Sequence, residues 1–192
     1  MYRIRDSGWL EVISGPMYSS KTTELIHRIE KVKIANQDYK IFKPEIDDRY
    51  SENKISTHSG IELKAIPVEK AEDILEYVYE ELDVVAIDEC QFYDDKLPEI
   101  IDRLLDKHIR VIVTGLDMDF RGKPFELTSI LLAKAEFITK LNGVCNICGE
   151  LGTKTQRYVN GEPAHVNDPT IVVGGTENYS CVCRQHHRVK KD

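Results

Sequence analysis

Residues 10–29 read LEVISGPMYSSKTTELIHRI, and their pattern is the strongest indication of the fold. Residues 10–14 form a short apolar and β-branched run that stops at Gly15-Pro16, which predicts a buried strand ending in a turn. From Lys21 onward, apolar residues recur at roughly 3.6-residue spacing between charged ones, which predicts an amphipathic helix to about Asn36. A strand, a glycine turn and a helix in this order are typical of a loop that binds phosphates.

The loop itself, GPMYSSKT, covers residues 15–22 and is close to the pattern of a glycine, four residues, a glycine, a lysine and a serine or threonine. Lys21 is expected to reach the β- and γ-phosphates of a nucleoside triphosphate, and the Thr22 hydroxyl to bind Mg²⁺. Ser20 stands where the second glycine is expected, so a positive φ there would cost stability or affinity. The alternative is a chance serine-rich turn before a surface helix. The candidate phosphate-binding residues are Gly15, Pro16, Met17, Tyr18, Ser19, Ser20, Lys21 and Thr22.

Strands and helices continue to alternate beyond this loop. The apolar patterns predict strands at 39–43, 63–68, 84–87 and 111–114, and helices at 71–82, 97–107 and 127–134. Nearly continuous apolar runs such as VVAI and VIVTG indicate a mostly parallel sheet covered on both faces. We therefore predict an α/β core that ends near Leu141.

Two carboxylates, Asp88 and Glu89, follow the apolar strand predicted at 84–87. A parallel sheet binds its ligands at the carboxyl ends of its strands, so this pair is expected beside the phosphate loop. Asp88 is a candidate partner of Mg²⁺, and Glu89 is a candidate general base that accepts a proton from an attacking hydroxyl or water. The alternative is a solvated acidic pair that caps a strand.

The overall composition describes a globular protein of 192 residues, with 41% hydrophobic and 31% charged residues and a net charge of −7. This charge disfavours a protein that coats nucleic acid. No apolar stretch approaches the roughly 18 residues of a membrane span, and the first residues do not resemble a signal peptide, so we expect a cytosolic protein without membrane contact.

Four of the five cysteines lie in the last quarter of the chain, which in a reducing compartment favours metal binding over disulfides. Cys145 and Cys148 form one pair with two residues between them, and Cys183 and His186 form another. This spacing predicts a structural tetrahedral Zn²⁺ site, with Cys181 and His187 as competing ligands. Reduced cysteines without metal and a redox thiol pair remain the alternatives. Cys90 has no partner in the sequence and is interpreted as a packed residue.

Between Cys148 and Cys181 lie 32 residues, more than an ordinary zinc ribbon contains. Long loops in compact proteins are usually functional. The mixture of residues in this loop suits one that closes over a flat ligand.

Seven segments together resemble the type II thymidine kinases, the cytosolic kind in which zinc holds a loop over the substrate. They are GPMYSSKT at 15–22, FKPEIDDRY at 42–50, IDECQFY at 87–93, GLDMDFRGKPF at 115–125, TQR at 155–157, VVGGTENY at 172–179 and CRQHH at 183–187. The resemblance covers nearly the whole chain in the same order.

This resemblance implies a RecA-like phosphate-loop parallel sheet in residues 1–141 and a small C-terminal zinc-binding lid domain in residues 142–192. The implied reaction transfers the γ-phosphate of ATP to the 5′-hydroxyl of thymidine with Mg²⁺, in a cytoplasmic homotetramer that dTTP inhibits. Glu89 would be the base, Asp88, Glu89, Cys90 and Gln91 would contribute to the nucleotide site, and Cys145, Cys148, Cys183 and His186 would hold zinc. The thymidine side would comprise Met17, Asp47, Arg49, Leu116, Phe120, Thr155, Thr170, Ile171, Val172, Val173, Gly174 and Tyr179.

The chain departs from the family pattern at Ser20, Cys90 and Glu126, and His186 stands where many members have cysteine. Only Ser20 bears seriously on catalysis. Two other functions compete with a nucleoside kinase. One is a phosphate-loop ATPase that hydrolyses ATP without thymidine, and the other is a nucleic-acid-binding zinc ribbon, which the acidic total disfavours.

Overall fold

Strands and helices alternate as far as Lys140 in the computed structural model, which describes residues 7–46, 54–56, 61–170 and 179–191. The helices are α1 (Lys21–Ile34), α2 (Leu97–Asp106) and α3 (Glu126–Lys134), with short 3-10 helices at Ala71–Tyr77 and Cys90–Phe92. The strands are β1 (Trp9–Gly15), β2 (Tyr39–Pro44), β3 (Lys54–Ser56), β4 (Glu62–Lys64), β5 (Ile66–Val68), β6 (Val84–Ile87), β7 (Arg110–Leu116), β8 (Phe137–Lys140), β9 (Gly143–Val144), β10 (Leu151–Gly152), β11 (Lys154–Val159), β12 (Glu162–Pro163) and β13 (Tyr179–Val182).

The central sheet has six strands in the order β5-β2-β6-β7-β1-β8, and every neighbouring pair is parallel. The predicted α/β fold with a parallel sheet is therefore confirmed. Because the strands run in the same direction, their carboxyl ends share one edge of the sheet. The phosphate-loop segment follows β1 at that edge, and the acidic pair follows β6, with only β7 between the two strands.

Alternating side chains of the strands supply two apolar layers, one on each face of the sheet. On one face, Val84 and Ala86 of β6 pack with Leu25 and Ile29 of α1. On the other face, Val85 and Ile87 belong to a cluster with Ile100, Ile101 and Leu104 of α2 and Leu131 of α3. The strands are thus buried on both sides, as their continuous apolar runs predicted. None of the helices in the described part of the chain has the length and apolar composition needed to cross a bilayer.

The helix predicted at 71–82 is wrong, because a 3-10 helix ends at Tyr77 and Val78 is extended. Its buried residues, Ala71 and Ile74, lie three positions apart, which is the repeat of a 3-10 helix. The Tyr77 ring then packs edge-on against Phe42 with 5.7 Å between ring centroids. This tertiary contact fixes the direction in which the chain leaves the short helix.

Two strand predictions also need correction. The strand expected at 63–68 is divided: β4 pairs antiparallel with β3, whereas β5 pairs parallel with β2. β8 was not predicted, since its Phe137 and Ile138 are exposed and give no pattern of burial. It exists because its backbone extends the central sheet beside β1.

The C-terminal part of the chain forms small antiparallel sheets. β9 pairs with β10, and β11 lies between β12 and β13. The described strands of this C-terminal part run from Gly143 to Val182 and precede the Cys183–His186 pair.

Candidate active site

The phosphate loop closes on itself through the carbonyl of Pro16. The Lys21 ammonium and the Ser19 hydroxyl each donate a hydrogen bond to this oxygen, at 2.8 Å. Gly15 is required by a close approach, because a Cβ there would lie 2.4 Å from the carbonyl oxygen of Leu141. The loop thus holds the buried Lys21 side chain at the N-terminal end of α1, where backbone N–H groups and the helix dipole favour an anion.

Ser20 has a φ of 63° and a ψ of 30°, which is the left-handed conformation. A glycine adopts this conformation without steric cost, whereas other residues lose roughly 1–2 kcal/mol. The Ser20 side chain is exposed and forms no capping hydrogen bond with α1. The loop therefore does require a positive φ where the second glycine was expected.

The structure brings Thr22 and Asp88 together at the edge of the sheet. The Thr22 Oγ1 atom lies 3.5 Å from Asp88 Oδ2. Asp88 is 5% exposed, and its Oδ1 atom accepts hydrogen bonds from the Thr114 hydroxyl and from the Glu89 N–H. A hydroxyl and a carboxylate in this arrangement are suitable ligands for Mg²⁺ between the loop and the sheet.

Glu89 is held in a defined position beside this pair. Its φ of 51° is again left-handed, a strained conformation that often occurs at functional sites. Gln91 Nε2 donates to Glu89 Oε2 at 2.5 Å, while Gln91 Oε1 accepts from the Leu116 N–H at 3.0 Å. The amide of Gln91 thus links the Glu89 carboxylate to the end of β7, so Glu89 is fixed from two directions.

Cys90 points into the protein rather than toward this edge. Its thiol lies 3.5 Å from the Thr128 hydroxyl, and a Cβ at Gly115 would lie 2.4 Å from its sulfur. Burial raises the pKa of Cys90 to about 12. The thiol is therefore a neutral, packed group, and only the Cys90 backbone is available to a nucleotide.

Four potential metal ligands converge near the C-terminus: Cys145, Cys148, Cys183 and His186. Their ligand atoms all lie within 4.8 Å of one another. The Cys148–Cys183 sulfur separation is 3.9 Å, and His186 Nδ1 lies 3.5 Å from the Cys145 sulfur and 3.3 Å from the Cys183 sulfur. A tetrahedron around Zn²⁺ has edges of about 3.8 Å between sulfurs and about 3.6 Å between sulfur and nitrogen. The cluster can therefore hold zinc.

The electrostatics of the Cys145 thiol also suit a metal ligand. Burial opposes ionisation of this thiol. However, the backbone N–H groups of Cys183, Cys148 and Ile147, with the His186 side chain, lower its pKa to about 5. Zinc binds the thiolate form of cysteine, which is the form that these hydrogen bonds favour.

The two competing ligands have other partners. Cys181 is buried against Gly143 and Gly152, where an added Cβ would lie 2.6 Å and 2.4 Å from its sulfur. His187 Nε2 donates to the Phe120 carbonyl oxygen at 2.7 Å. Neither residue belongs to the four-residue cluster.

The C-terminal sheet contacts the phosphate loop directly, because the Met17 N–H donates to Thr155 Oγ1 at 3.0 Å. Thr155 lies on β11, beside Cys181 of β13. The C-terminal part of the chain thus contacts the loop through Thr155 of β11.

Arginines bring several of the predicted thymidine residues together. The Phe120 ring lies beneath the guanidinium groups of Arg121 and Arg157, at 5.5 and 5.4 Å from their central carbons. Arg157 also lies 5.9 Å from the Tyr179 ring and donates to the Pro169 carbonyl at 2.5 Å. Arg121 donates to Thr170 Oγ1 at 2.6 Å.

Sequence reasoning did not single out Thr114, Arg121 or Arg157 as site residues. Thr114 could have been recognised from the sequence, since it is a polar residue in the apolar run of β7. The two arginines could not, because their partners are distant in the sequence. The predicted Asp47, Arg49, Ile171, Val172, Val173 and Gly174 lie outside the described residues.

A comparison with protein families gives one match that spans most of the chain. The family model described as thymidine kinase matches residues 8–187 of the 192. The match includes the phosphate loop, the acidic pair, the zinc-ligand cluster and the arginines around Phe120.

Proposed function

This chain belongs to the thymidine kinase family, and on that premise we propose that it transfers the γ-phosphate of ATP to the 5′-hydroxyl of thymidine. The observation that carries the proposal is the meeting of Thr22 and Asp88, 3.5 Å apart, with the fixed carboxylate of Glu89 next to them. Phosphoryl transfer depends mainly on positioning and charge neutralisation, and this edge of the sheet offers both.

The residues of the loop fit a nucleotide bound through its phosphates. Backbone N–H groups at the start of α1 would bind phosphate oxygens, and Lys21 would exchange the Pro16 carbonyl for phosphate oxygens. Asp88 to Gln91 complete the nucleotide side, with Cys90 contributing only its backbone. Thr22 and Asp88 would hold Mg²⁺, which neutralises charge on the β- and γ-phosphates when bound.

Glu89 would act as the general base. The 5′-oxygen of thymidine forms a bond to the γ-phosphorus of ATP as the bond between that phosphorus and the leaving ADP oxygen breaks. The hydroxyl proton passes to the Glu89 carboxylate. Gln91 keeps this carboxylate oriented, so the base needs little rearrangement before transfer.

The thymidine side would be formed between the phosphate loop, the turn after β7 and the C-terminal sheet. Support comes from the Met17–Thr155 hydrogen bond and from the arginine contacts that join Phe120, Thr170 and Tyr179. Leu116 lies beside Gln91 and would border the reacting end. The proposed thymidine residues are Met17, Asp47, Arg49, Leu116, Phe120, Thr155, Thr170, Ile171, Val172, Val173, Gly174 and Tyr179.

Zinc would be structural, since four protein ligands leave no open position for catalysis. We also propose a kinase domain at residues 1–141 and a zinc-binding domain at 142–192, which the change from parallel to antiparallel sheets supports. Inhibition by dTTP, a role in nucleoside salvage, a cytoplasmic location and a homotetramer follow from the family resemblance. Exposed Ile130, Phe137 and Ile138 near the β8 edge would suit subunit contacts.

The proposal is tested by incubating the purified zinc-loaded chain with ATP, Mg²⁺ and each nucleoside in turn. We expect thymidine monophosphate and ADP in equal amounts. Lys21→Ala should abolish most product, whereas Lys33→Ala on the same helix should not. ATP hydrolysis at the same rate without any nucleoside would instead identify a phosphate-loop ATPase, and the absence of both products would contradict the proposal.

A further inference from the structure

A cavity of about 470 Å³ lies between the turn after β7 and the C-terminal segment of the chain. Its lining residues are Arg121, Lys123, Val166, His187, Arg188, Val189 and Lys191. None of the seven is acidic, although the whole chain has a net charge of −7. The cavity therefore concentrates positive charge on an acidic protein, which favours an anionic ligand there.

Two of its lysines are available to such a ligand. Within the part of the chain that the structure describes, the ammonium groups of Lys123 and Lys191 have no ion pair or hydrogen bond, and both side chains are exposed. Among the described residues, the Arg188 guanidinium donates to the carbonyls of Gln185 and His187, which leave its charge uncompensated. Arg121, in contrast, is paired with Asp119 and adds less to the positive potential in the cavity.

Hydrogen bonds hold both walls of the cavity in place. On the wall after β7, the Asp119 carboxylate accepts from the N–H groups of Arg121 and Lys123, at 2.8 and 2.9 Å. On the C-terminal wall, Gln156 exchanges two hydrogen bonds with the backbone of Arg188, at 2.8 and 2.9 Å. The backbone that carries Lys123 and Arg188 is thus positioned before a ligand arrives, which lowers the entropic cost of binding.

The arrangement indicates more than one anionic group in the ligand. Lys123 lies on the wall after β7 and Lys191 on the C-terminal wall, so a ligand with several anionic groups can contact both lysines at once. Lysine is a compact point charge that suits phosphate oxygens, and the volume falls within the range of ordinary ligand sites. We propose that this cavity binds a small anion made of linked phosphates, either inorganic or the polyphosphate part of a nucleotide, separately from the phosphate loop.

The test is calorimetric titration of the full-length, zinc-loaded Lys21→Ala chain with inorganic triphosphate at low salt, because this variant removes the loop's lysine. We expect one equivalent to bind. Lys123→Gln and Lys191→Gln should each weaken the affinity on the order of tenfold. The control pair, Lys31→Gln and Lys107→Gln, makes the same charge change at the ends of α1 and α2 and should leave the affinity unchanged.

Three results would overturn the proposal: no binding to the Lys21→Ala chain, equal affinities of the cavity and control variants, or inorganic monophosphate binding as tightly as triphosphate. Tighter binding of ATP than of triphosphate would assign the ligand to nucleotides, and equal affinity would assign it to inorganic phosphates; either supports the site. If the Lys21→Ala chain that also carries Lys123→Gln does not keep its zinc, the Lys21→Ala chain with Lys191→Gln provides the comparison. None of these outcomes depends on kinase activity.

Discussion

Ser20 and Glu89 are both left-handed, at φ values of 63° and 51°, and both lie where the phosphate loop and the acidic pair meet. Such residues are held against a local steric cost by the structure around them. Thr114 of β7 and Gln91 of the 3-10 helix at Cys90–Phe92 support Glu89 through hydrogen bonds. Ser20 has no comparable side-chain contact at the start of α1.

Ser20→Gly should therefore stabilise the protein. We expect the free energy of unfolding to rise by about 1 kcal/mol, because glycine adopts the left-handed conformation without steric cost but is more flexible when unfolded. Urea titration measures this as a higher midpoint with an unchanged slope. The control is Asn36→Gly, whose φ is 51°, and its gain should be smaller because asparagine tolerates this conformation. A lower midpoint for Ser20→Gly would contradict the strain at Ser20.

Glu11 is a second residue with an unusual environment, since it is buried beside two arginines. Burial alone would raise its pKa. However, hydrogen bonds from Arg110 and Trp9 and the charges of Arg110 and Arg28 hold the pKa below its ordinary value. The carboxylate therefore stabilises the fold above its unfolded pKa, roughly pH 4.3, and this contribution is lost as the pH falls through the lower folded value.

Glu11→Gln should cost about 3 kcal/mol at pH 7, because it removes the carboxylate that pairs with the buried Arg110 and one of the two carboxylates that pair with Arg28. The difference in unfolding free energy between wild type and variant should stay constant from pH 7 to 5 and shrink below pH 4.3. Urea titrations across this range measure it, with the exposed Glu99→Gln as control. A difference in unfolding free energy that grows as the pH falls would contradict stabilisation of the fold by the ionised Glu11 carboxylate.

Among the elements, the fully buried strands of the central sheet were the most predictable. The apolar runs of β1, β6 and β7 predicted buried parallel strands, and the loop and the acidic pair followed from where those strands end. The failures occurred where tertiary contacts outweigh local pattern. The residues of β8 are exposed, so only pairing with β1 defines that strand, and the packing of Tyr77 on Phe42 accompanies the end of the 3-10 helix.

The residues of the candidate site were likewise predictable only in part. Sequence spacing predicted the ligands Cys145, Cys148, Cys183 and His186, whose atoms converge. It could not predict that Arg157 joins Phe120 to Tyr179 and Pro169, because these contacts link β11 to a turn and a strand far away in the sequence. The burial and ring contacts of a single arginine produce no periodic pattern in the sequence.

Arg157 belongs to β11, and its planar guanidinium contacts two rings and a carbonyl at once. Arg157→Lys keeps the charge but loses the planar contacts and the directed hydrogen bond. We expect the KM for thymidine to rise on the order of tenfold, with the KM for ATP nearly unchanged. Steady-state kinetics test this, with the exposed Arg184→Lys as control. An equal rise in both KM values would contradict a role confined to the thymidine side.

In the molecule as a whole, the cluster of Cys145, Cys148, Cys183 and His186 links the ends of the C-terminal excursion, and Thr155 connects that part to the phosphate loop. The proposed zinc site is therefore joined to the phosphate loop by β11. Loss of zinc is expected to release β11 and β13 and, with them, the proposed thymidine residues Thr155 and Tyr179.

His186→Ala should lower the zinc content from one ion per chain to nearly none, and thymidine phosphorylation should be lost with it. His187→Gln should keep one zinc, because the Gln side chain can still donate to the Phe120 carbonyl. Metal analysis of the purified variants measures both. Zinc retained in His186→Ala and lost in His187→Gln would reverse the ligand assignment.

Glu89 is proposed to accept the proton of the thymidine 5′-hydroxyl. The turnover of Glu89→Gln tests this role, with ATP and thymidine affinities measured on the same preparation and the exposed Glu72→Gln as control. We expect both affinities to stay within a few-fold of wild type while kcat falls by about 10²- to 10⁴-fold. Near-normal kcat in Glu89→Gln would contradict it.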